Sequence, residues 1–230
     1  MRTLLLILLC IASVGAQASL LGRAPLTPGG SNYQAYYDTA LDITWLADAN
    51  LAASNTFGAP RCNQSYPNCI DGLGFMNWLT AKTWIAAMNN ANYLGVNNWR
   101  LPLTLQPDTS CQYQLDAGSQ FPLQGVGACS GSEMGYLFNV EGISGYSRPP
   151  FTNIVQQSYW SDTRYAPDPT RAWVFSMTRG DQDPAGPVDF IRYYAWAVSP
   201  GDISAVPIPA AAWLFGGALG SLRLVRRRAS

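Results

Sequence analysis

The sequence predicts an α+β domain in which two helices lie among several antiparallel strands, between two apolar ends. Short runs rich in Trp, Tyr, Phe and Val alternate with Gly-, Pro- and Asn-rich turns, which is typical of antiparallel sheet. Two other stretches have the apolar spacing of helices. The middle of the chain contains no internal repeat, so a single domain accounts for it.

The first predicted elements are a hairpin and a long helix. Apolar residues alternate across Asn32 to Ala49 around a turn at residues 38–40, which predicts two paired strands. Residues 50–74 predict a loop. Residues 75–93 carry one apolar stripe and are followed by Gly95, which predicts a helix that ends there. The stripe consists of Phe75, Trp78, Leu79, Ile85 and Met88.

The second half predicts one short helix and three strands. Residues 99–102 predict a short buried strand that ends at Pro102, and residues 103–131 predict a long loop. Ser132 is a suitable N-cap for a helix from Glu133 to Val140. The later strands are predicted at Ser158 to Thr163, Arg171 to Thr178 and Phe190 to Val198, with residues 180–187 as the loop between the last two.

Residues 1–18 predict a secretory signal peptide. Arg2 provides the positive start, residues 4–14 the apolar core, and Ala16 and Ala18 the small-residue cleavage site. The exported domain would then occupy residues 19–200, followed by a linker at residues 201–205. We therefore expect the domain to work outside the bacterial cytoplasm.

The C-terminal tail, residues 206–230, combines a Pro-containing motif, an apolar run of helix length and a basic end. The run approaches the roughly 20 residues that a transmembrane helix needs, and its basic end would face the cytoplasm. The tail resembles the VPLPA/PEP type of sorting signal, which exosortases process, with Ile208 where Leu is usual. A plain single-span membrane anchor is the alternative. The residues that carry the resemblance are Val206, Pro207, Pro209, Ala210, Arg226, Arg227 and Arg228.

This resemblance implies a membrane protease of the exosortase type as a partner. The chain would first be held in the inner membrane through its C-terminal helix, and cleavage near Val206 would then release the domain to the cell surface or the medium. Residues 19–205 hold nine cations against fourteen acids, a net charge of −5. This balance argues against nucleic acid as a partner, because phosphate binding requires a basic face.

Four cysteines remain after the signal peptide, and an even number in an exported chain predicts disulfides. Three pairings are possible. We favour Cys62–Cys69 and Cys111–Cys129, because each bridge would close a loop rich in Gly, Pro, Asn and Ser. The chain has no histidine and no Cys-x-x-Cys spacing, so a metal site made from these cysteines is the weaker alternative.

Seven short motifs lie in order along the middle of the chain. They are Trp45 to Asn50, Trp84 to Ala87, Asn98 to Pro102, Ser132 to Phe138, Tyr159 to Thr163, Ala172 to Phe175 and Tyr194 to Val198. In this order they resemble the Lcl C-terminal-domain family, a domain of unknown function. The Arg-Leu-Pro element is similar to that of C-type-lectin-like folds, which implies such an architecture with long disulfide-stapled loops. The family implies export and surface attachment, with glycan binding in some members, and it implies no reaction.

The usual continuation of the Arg-Leu-Pro element departs here at residues 103–107, so no ligand residue is carried over from the family. The absence of histidine removes the common nucleophile systems. Glu133 and Glu141 would lie about 12 Å apart along a helix, too far for a glycosidase pair. Asp181, Asp183 and Asp189 form a weak calcium candidate, with a solvated polar turn as the alternative.

Most tryptophans are expected in the core, so aromatic and charged residues in loops are the better ligand candidates. Those we select are Tyr146, Arg148, Asp162, Arg164 and Tyr165. We expect an exported, non-enzymatic surface domain that binds glycan or exopolysaccharide. The alternatives are a carbohydrate-active or modifying enzyme on a C-type-lectin-like scaffold and a purely structural envelope protein. No cofactor is expected apart from the calcium candidate.

Overall fold

The computed structural model describes residues 20–62, 68–115 and 124–203. The predicted signal peptide with Ala16 and Ala18, and the tail with its sorting motif and basic end, lie outside the described residues. Within them, no helix is both long and apolar enough to cross a membrane.

The described residues form a mostly-sheet domain with few helices. The helices are α1 (Leu51–Ser54), α2 (Trp78–Asn90) and α3 (Glu133–Asn139), with a short 3₁₀ turn at Tyr93–Gly95. The strands are β1 (Leu20–Pro25), β2 (Tyr33–Asp38), β3 (Ile43–Leu46), β4 (Met76–Asn77), β5 (Tyr113–Leu115), β6 (Gln124–Ala128), β7 (Ser158–Arg164), β8 (Ala172–Ser176), β9 (Asp181–Ala185), β10 (Arg192–Tyr193) and β11 (Val198–Pro200).

Two larger sheets and a small one carry the fold. The first sheet has the order β1-β2-β3-β11, so the last described strand returns to pair with β3 near the start of the chain. The second has the order β5-β6-β9-β8-β7, and β10 pairs with β4 alone. All pairings between these strands are antiparallel, as the sequence predicts.

The hairpin predicted at residues 32–49 is confirmed as β2 and β3, which pair from Ala35–Leu46 to Asp38–Ile43. The predicted long helix is confirmed as α2, although it is shorter at both ends. Asn77 fixes its start, because its side-chain oxygen accepts from the Thr80 N–H at 2.8 Å. The buried face includes Trp84, whereas Leu79 is 42% exposed and does not belong to the apolar stripe.

The short helix predicted after Ser132 is confirmed as α3, but Ser132 does not cap it with its side chain. The hydroxyl instead donates to Asp108 Oδ2 at 2.9 Å and accepts from the Leu105 N–H at 3.0 Å. Ser132 and Asp108 are both buried. Ser132 therefore fastens the segment before the second disulfide to the start of α3.

The sequence prediction is wrong for three segments of the second half. Residues 103–131, predicted as a loop, contain β5 and β6. Residues 181–185, predicted as part of a hairpin loop, form β9 between β6 and β8. The single strand predicted at residues 190–198 is divided into β10 and β11, which belong to different sheets. A third helix, α1, is a single turn in the predicted loop after the hairpin.

Both favoured disulfides are present, Cys62–Cys69 and Cys111–Cys129. Cys69 and Cys129 are almost fully buried, so the bridges join loop segments to the interior. The exported location that the cysteine count suggests remains a prediction.

Buried tryptophans bind main-chain oxygens as well as filling the core. Trp160 Nε1 donates to Met76 O at 3.0 Å, and Trp196 Nε1 donates to Leu46 O at 2.8 Å. Three further indole donors, on Trp78, Trp84 and Trp99, also bond to main-chain carbonyls. Four of these five bonds join residues 29 to 150 positions apart in the sequence, and they supply donors to main-chain carbonyls around the core.

Arg100, in the Arg-Leu-Pro element, forms an ion pair with a structural role. Its guanidinium donates to Glu133 Oε1 at 2.6 Å and Oε2 at 2.8 Å, a bidentate geometry. Glu133 Oε2 also accepts from the Leu103 N–H at 2.7 Å. The pair therefore holds the chain at residues 100–103 against the start of α3.

Candidate functional site

The five predicted ligand residues are divided between two places. Tyr146 and Arg148 lie in the loop after α3, which bonds near the start of β7 through Gly145 N–H to Met177 O at 2.8 Å. Asp162, Arg164 and Tyr165 lie at or just beyond the other end of β7. Ser158 and Arg164 pair with Ser176 and Ala172, about 13 Å apart along β8, so the two groups lie at opposite ends of β7 and form no common site.

The group at the end of β7 is occupied by internal contacts. Asp162 pairs with Lys82, and the Arg164 guanidinium stacks on the Trp78 ring at 4.6 Å from its centroid. The Tyr165 ring packs edge-on against Trp173 with their centroids 5.5 Å apart. Because of these contacts, we interpret the three residues as structural supports for the end of β7.

Of the other group, Arg148 lines a surface depression, which we call the Asp48 groove, whereas Tyr146 is exposed and does not line it. It consists of two adjoining cavities, of about 400 and 560 Å³, which share Asp48. The first is lined by three tyrosines together with amide and aliphatic side chains, and the second mainly by polar side chains that include Arg148. The lining includes Tyr33, Tyr36, Tyr93, Gln34, Arg148 and Gln156.

Asp48 is fixed at the centre of the groove by its own backbone and by the segment opposite. Its Oδ1 accepts from the Asn50 N–H at 2.9 Å. On either side of it, the Ala49 N–H donates to Thr152 O at 2.9 Å, and the Thr152 N–H donates to Ala47 O at 2.8 Å. The carboxylate is only half-buried, so its second oxygen can accept from a ligand hydroxyl.

The aromatic side of the groove is built on close ring packing. Tyr36 packs edge-on against Phe151 with centroids 5.3 Å apart, and against Tyr33 at 5.9 Å. Gly22 makes room for this wall, because a Cβ there would lie 2.2 Å from the Tyr33 ring. Burial, together with the nearby Asp48 charge, raises the pKa of Tyr93, and its neutral phenol can donate to a ligand.

Arg148 presents a cation to the second cavity. Its Nε donates to Gly145 O at 2.8 Å, which orients the guanidinium and leaves the two terminal nitrogens as donors. Asn153 and Gln156 line the same cavity. Carboxylate, guanidinium, amide and aromatic groups thus face one depression, the mixture expected of a site that binds a polar ligand with flat apolar faces.

The sequence analysis predicts Arg148 and misses the rest of the groove. Asp48 lies just after the buried strand β3. A charged residue at the end of a buried strand is the sequence signal that could indicate this part of the groove. The tyrosines at 33 and 36 were assigned only to a hairpin. Tyr93 was assigned only to the end of a helix.

The calcium candidate is not assembled. Asp181 and Asp183 lie on β9 instead of in a turn, and Arg179 pairs with both, at 2.8 and 3.8 Å. In the described part of the chain, these two and Asp189 do not converge into an ion-sized group. Asp108, Cys111 and Cys129 do converge, but both sulfurs are committed to the disulfide.

The fold and the groove define a disulfide-stapled, mostly-sheet domain with an aromatic and polar surface depression. A family model for the Lcl C-terminal domain matches residues 34–199. The chain therefore belongs to the Lcl C-terminal domain family, which confirms the resemblance drawn from the ordered motifs. Comparisons with curated proteins and with solved structures give no match.

Proposed function

We propose that this chain is an exported bacterial envelope protein whose domain binds glycan, such as an exopolysaccharide, in the Asp48 groove without catalysing a reaction. The observation that carries the proposal is the convergence of three tyrosines with Asp48 and Arg148 at one depression. Sugar rings have apolar C–H faces that lie on aromatic rings and hydroxyl edges that bond to planar polar side chains. The groove offers both kinds of partner side by side.

Binding is favoured over hydrolysis by the charges in the groove. Its described lining contains one carboxylate, Asp48, whereas glycoside hydrolysis commonly uses two carboxyl groups about 5–9 Å apart. Glu133, one of the two glutamates of the chain, forms an ion pair with Arg100, which occupies its carboxylate. Incubating the bound glycan with the protein and measuring its mass would detect cleavage and would favour the carbohydrate-active alternative.

Export and surface display complete the proposal. The signal-peptide pattern at residues 1–18 and the sorting-type tail at residues 206–230 support delivery through the inner membrane and processing by an exosortase-like protease. The Arg-Leu-Pro element supports a C-type-lectin-like architecture. Mass spectrometry of the protein from cells and medium tests the processing step, and an intact C-terminus on every molecule would contradict it.

A glycan array that includes the host strain's own polysaccharide tests the binding. We expect Asp48→Asn and Arg148→Met each to weaken binding at least tenfold, because each removes a polar contact in the groove. Tyr113→Ala is the matched control, since Tyr113 is 59% exposed and lies on β5, outside the groove lining. Equal binding by all variants would place the ligand elsewhere, and no binding by the unaltered chain would favour a purely structural role.

A further inference from the structure

We propose that Asp38 and Glu141 hold a calcium ion between the turn after β2 and the end of α3. The observation is a set of three carboxylate oxygens that are shielded from solvent and, when both carboxyls are ionised, accept no hydrogen bond from a neighbouring donor. They are Asp38 Oδ2, Glu141 Oε1 and Glu141 Oε2. This pair is separate from the Asp48 groove and from the aspartates of β9.

Asp38 is held rigidly in this position. It is fully buried, and its Oδ1 accepts from the Ala40 and Leu41 N–H groups at 2.9 and 3.1 Å. Those bonds fix the turn between β2 and β3 and leave Oδ2 buried without a hydrogen-bond donor. The remaining oxygen therefore keeps its position without a ligand, which is a requirement for a preorganised cation site.

Glu141 approaches from the other side. It follows α3, and its N–H bonds to Tyr136 O at 3.2 Å in the last turn. The adjacent helix end carries partial negative charge, which disfavours a second negative charge there. Burial, the Asp38 charge and a hydrogen bond with Asp38 raise the pKa of Glu141 to about 7.

A positive partner would relieve this arrangement, and the described part of the chain does not supply one. No described Arg or Lys forms an ion pair with either carboxylate. Tyr136, the neighbouring titratable group, adds a phenol whose pKa is raised mainly by burial. The site thus has an uncompensated negative charge when both carboxyls are ionised.

A proton shared between the two carboxyls leaves a carboxylate oxygen without a partner, whereas a bound cation can contact all three oxygens. One proton makes one hydrogen bond between two of the three oxygens and leaves the third unpartnered. Calcium takes several oxygen ligands at about 2.3–2.6 Å and can bind all three, with water or carbonyl oxygens completing its shell. Glu141 is half-buried as a residue while both of its carboxylate oxygens are shielded, so entry of an ion requires a small movement of this side chain.

The test compares the full chain in detergent after treatment with EDTA and after addition of calcium chloride. We expect calcium to raise the melting temperature by about 5–10 °C at a hundredfold excess over its dissociation constant, and sodium chloride at equal ionic strength to raise it less. Titration calorimetry should give one ion per chain. Terbium luminescence excited through nearby aromatic side chains should appear and be displaced by calcium.

Two variants locate the ion. Glu141→Gln should lose the calcium response and melt at or above the unaltered chain in EDTA, because an amide can donate to Asp38 and removes the repulsion. Asp183→Asn, at the rejected aspartate group, should keep the response. A chain that gains stability on acidification but not with calcium would show a shared proton and overturn the proposal. A calcium response that survives Glu141→Gln would overturn it as well.

Discussion

Removing Arg100 should destabilise the domain far more than removing an exposed arginine. The change Arg100→Met keeps the apolar stem and deletes the guanidinium that makes two short bonds to Glu133. The two side chains are only 20% and 15% exposed. Glu133 would remain half-buried, with the Leu103 N–H as its surviving partner.

The magnitude follows from the burial. Breaking a fully buried ion pair from one side costs about 3–5 kcal/mol, and the residual exposure of this pair reduces the expected cost to about 2–3 kcal/mol. For a domain of this size, that corresponds to a fall of about 5–10 °C in melting temperature. Urea unfolding followed by tryptophan fluorescence measures the free energy of unfolding directly.

Arg171→Met is the matched control. Arg171 pairs with Asp168 at 3.2 Å, but the two side chains are 50% and 43% exposed, so the expected cost is about 0–1 kcal/mol. A double-mutant cycle with Arg100→Met and Glu133→Gln should give a coupling energy above about 1 kcal/mol. If Arg100→Met costs no more than Arg171→Met, the role assigned to the Arg-Leu-Pro element is wrong.

Three further predictions concern the bridges, the groove wall and the core. Replacing both cysteines of Cys111–Cys129 by serine should lower the free energy of unfolding by about 3 kcal/mol. The loss should be about 0.8 kcal/mol larger than for Cys62–Cys69, because the loops that the two bridges close have 18 and 7 residues. Urea unfolding of the two variants measures the difference. Gly22→Ala should displace the Tyr33 ring and weaken glycan binding more than it lowers stability, which a binding titration and a melting curve separate. Tyr159→Phe should cost about 1–2 kcal/mol by orphaning the Val155 N–H, which bonds to its hydroxyl. Burial raises the pKa of Tyr159 in the folded state, so folding favours the neutral phenol. This contribution to the free energy of unfolding is complete below about pH 10 and is lost as the pH rises further. Tyr159→Phe should therefore lose less stability than the unaltered chain between about pH 9 and about pH 11.

The parts of the fold that could be predicted are those with strong local signals. The β2–β3 hairpin has alternating apolar residues, and α2 has a buried stripe with a capping Asn77. The strand β9 could not be predicted, because its Asp-Gln-Asp-Pro-Ala sequence has poor strand propensity. Its neighbours β6 and β8 impose the extended conformation, and that information is not local.

The candidate groove could be predicted only in part, for the same reason. Arg148 was selected because it lies in a turn-rich loop. Tyr36, Asp48 and Tyr93 become neighbours only when the hairpin, α1 and the turn after α2 pack together. Asp162 and Arg164 are the reverse case, because charged residues near a predicted strand end are candidate ligands in the sequence but contact Lys82 and a tryptophan in the structure.

The indole donors have a consequence for how this chain tolerates change. An aromatic substitution such as Trp160→Phe keeps a ring in the core yet leaves a main-chain oxygen of Met76 without its donor. A hydrophobic side chain of similar size is therefore not a sufficient replacement at these positions. We expect relatives of this chain to retain the indole N–H there as well as the ring. Five of the seven described tryptophans donate to a main-chain oxygen, so tryptophan abundance here is a poor guide to the number of sugar-facing surfaces.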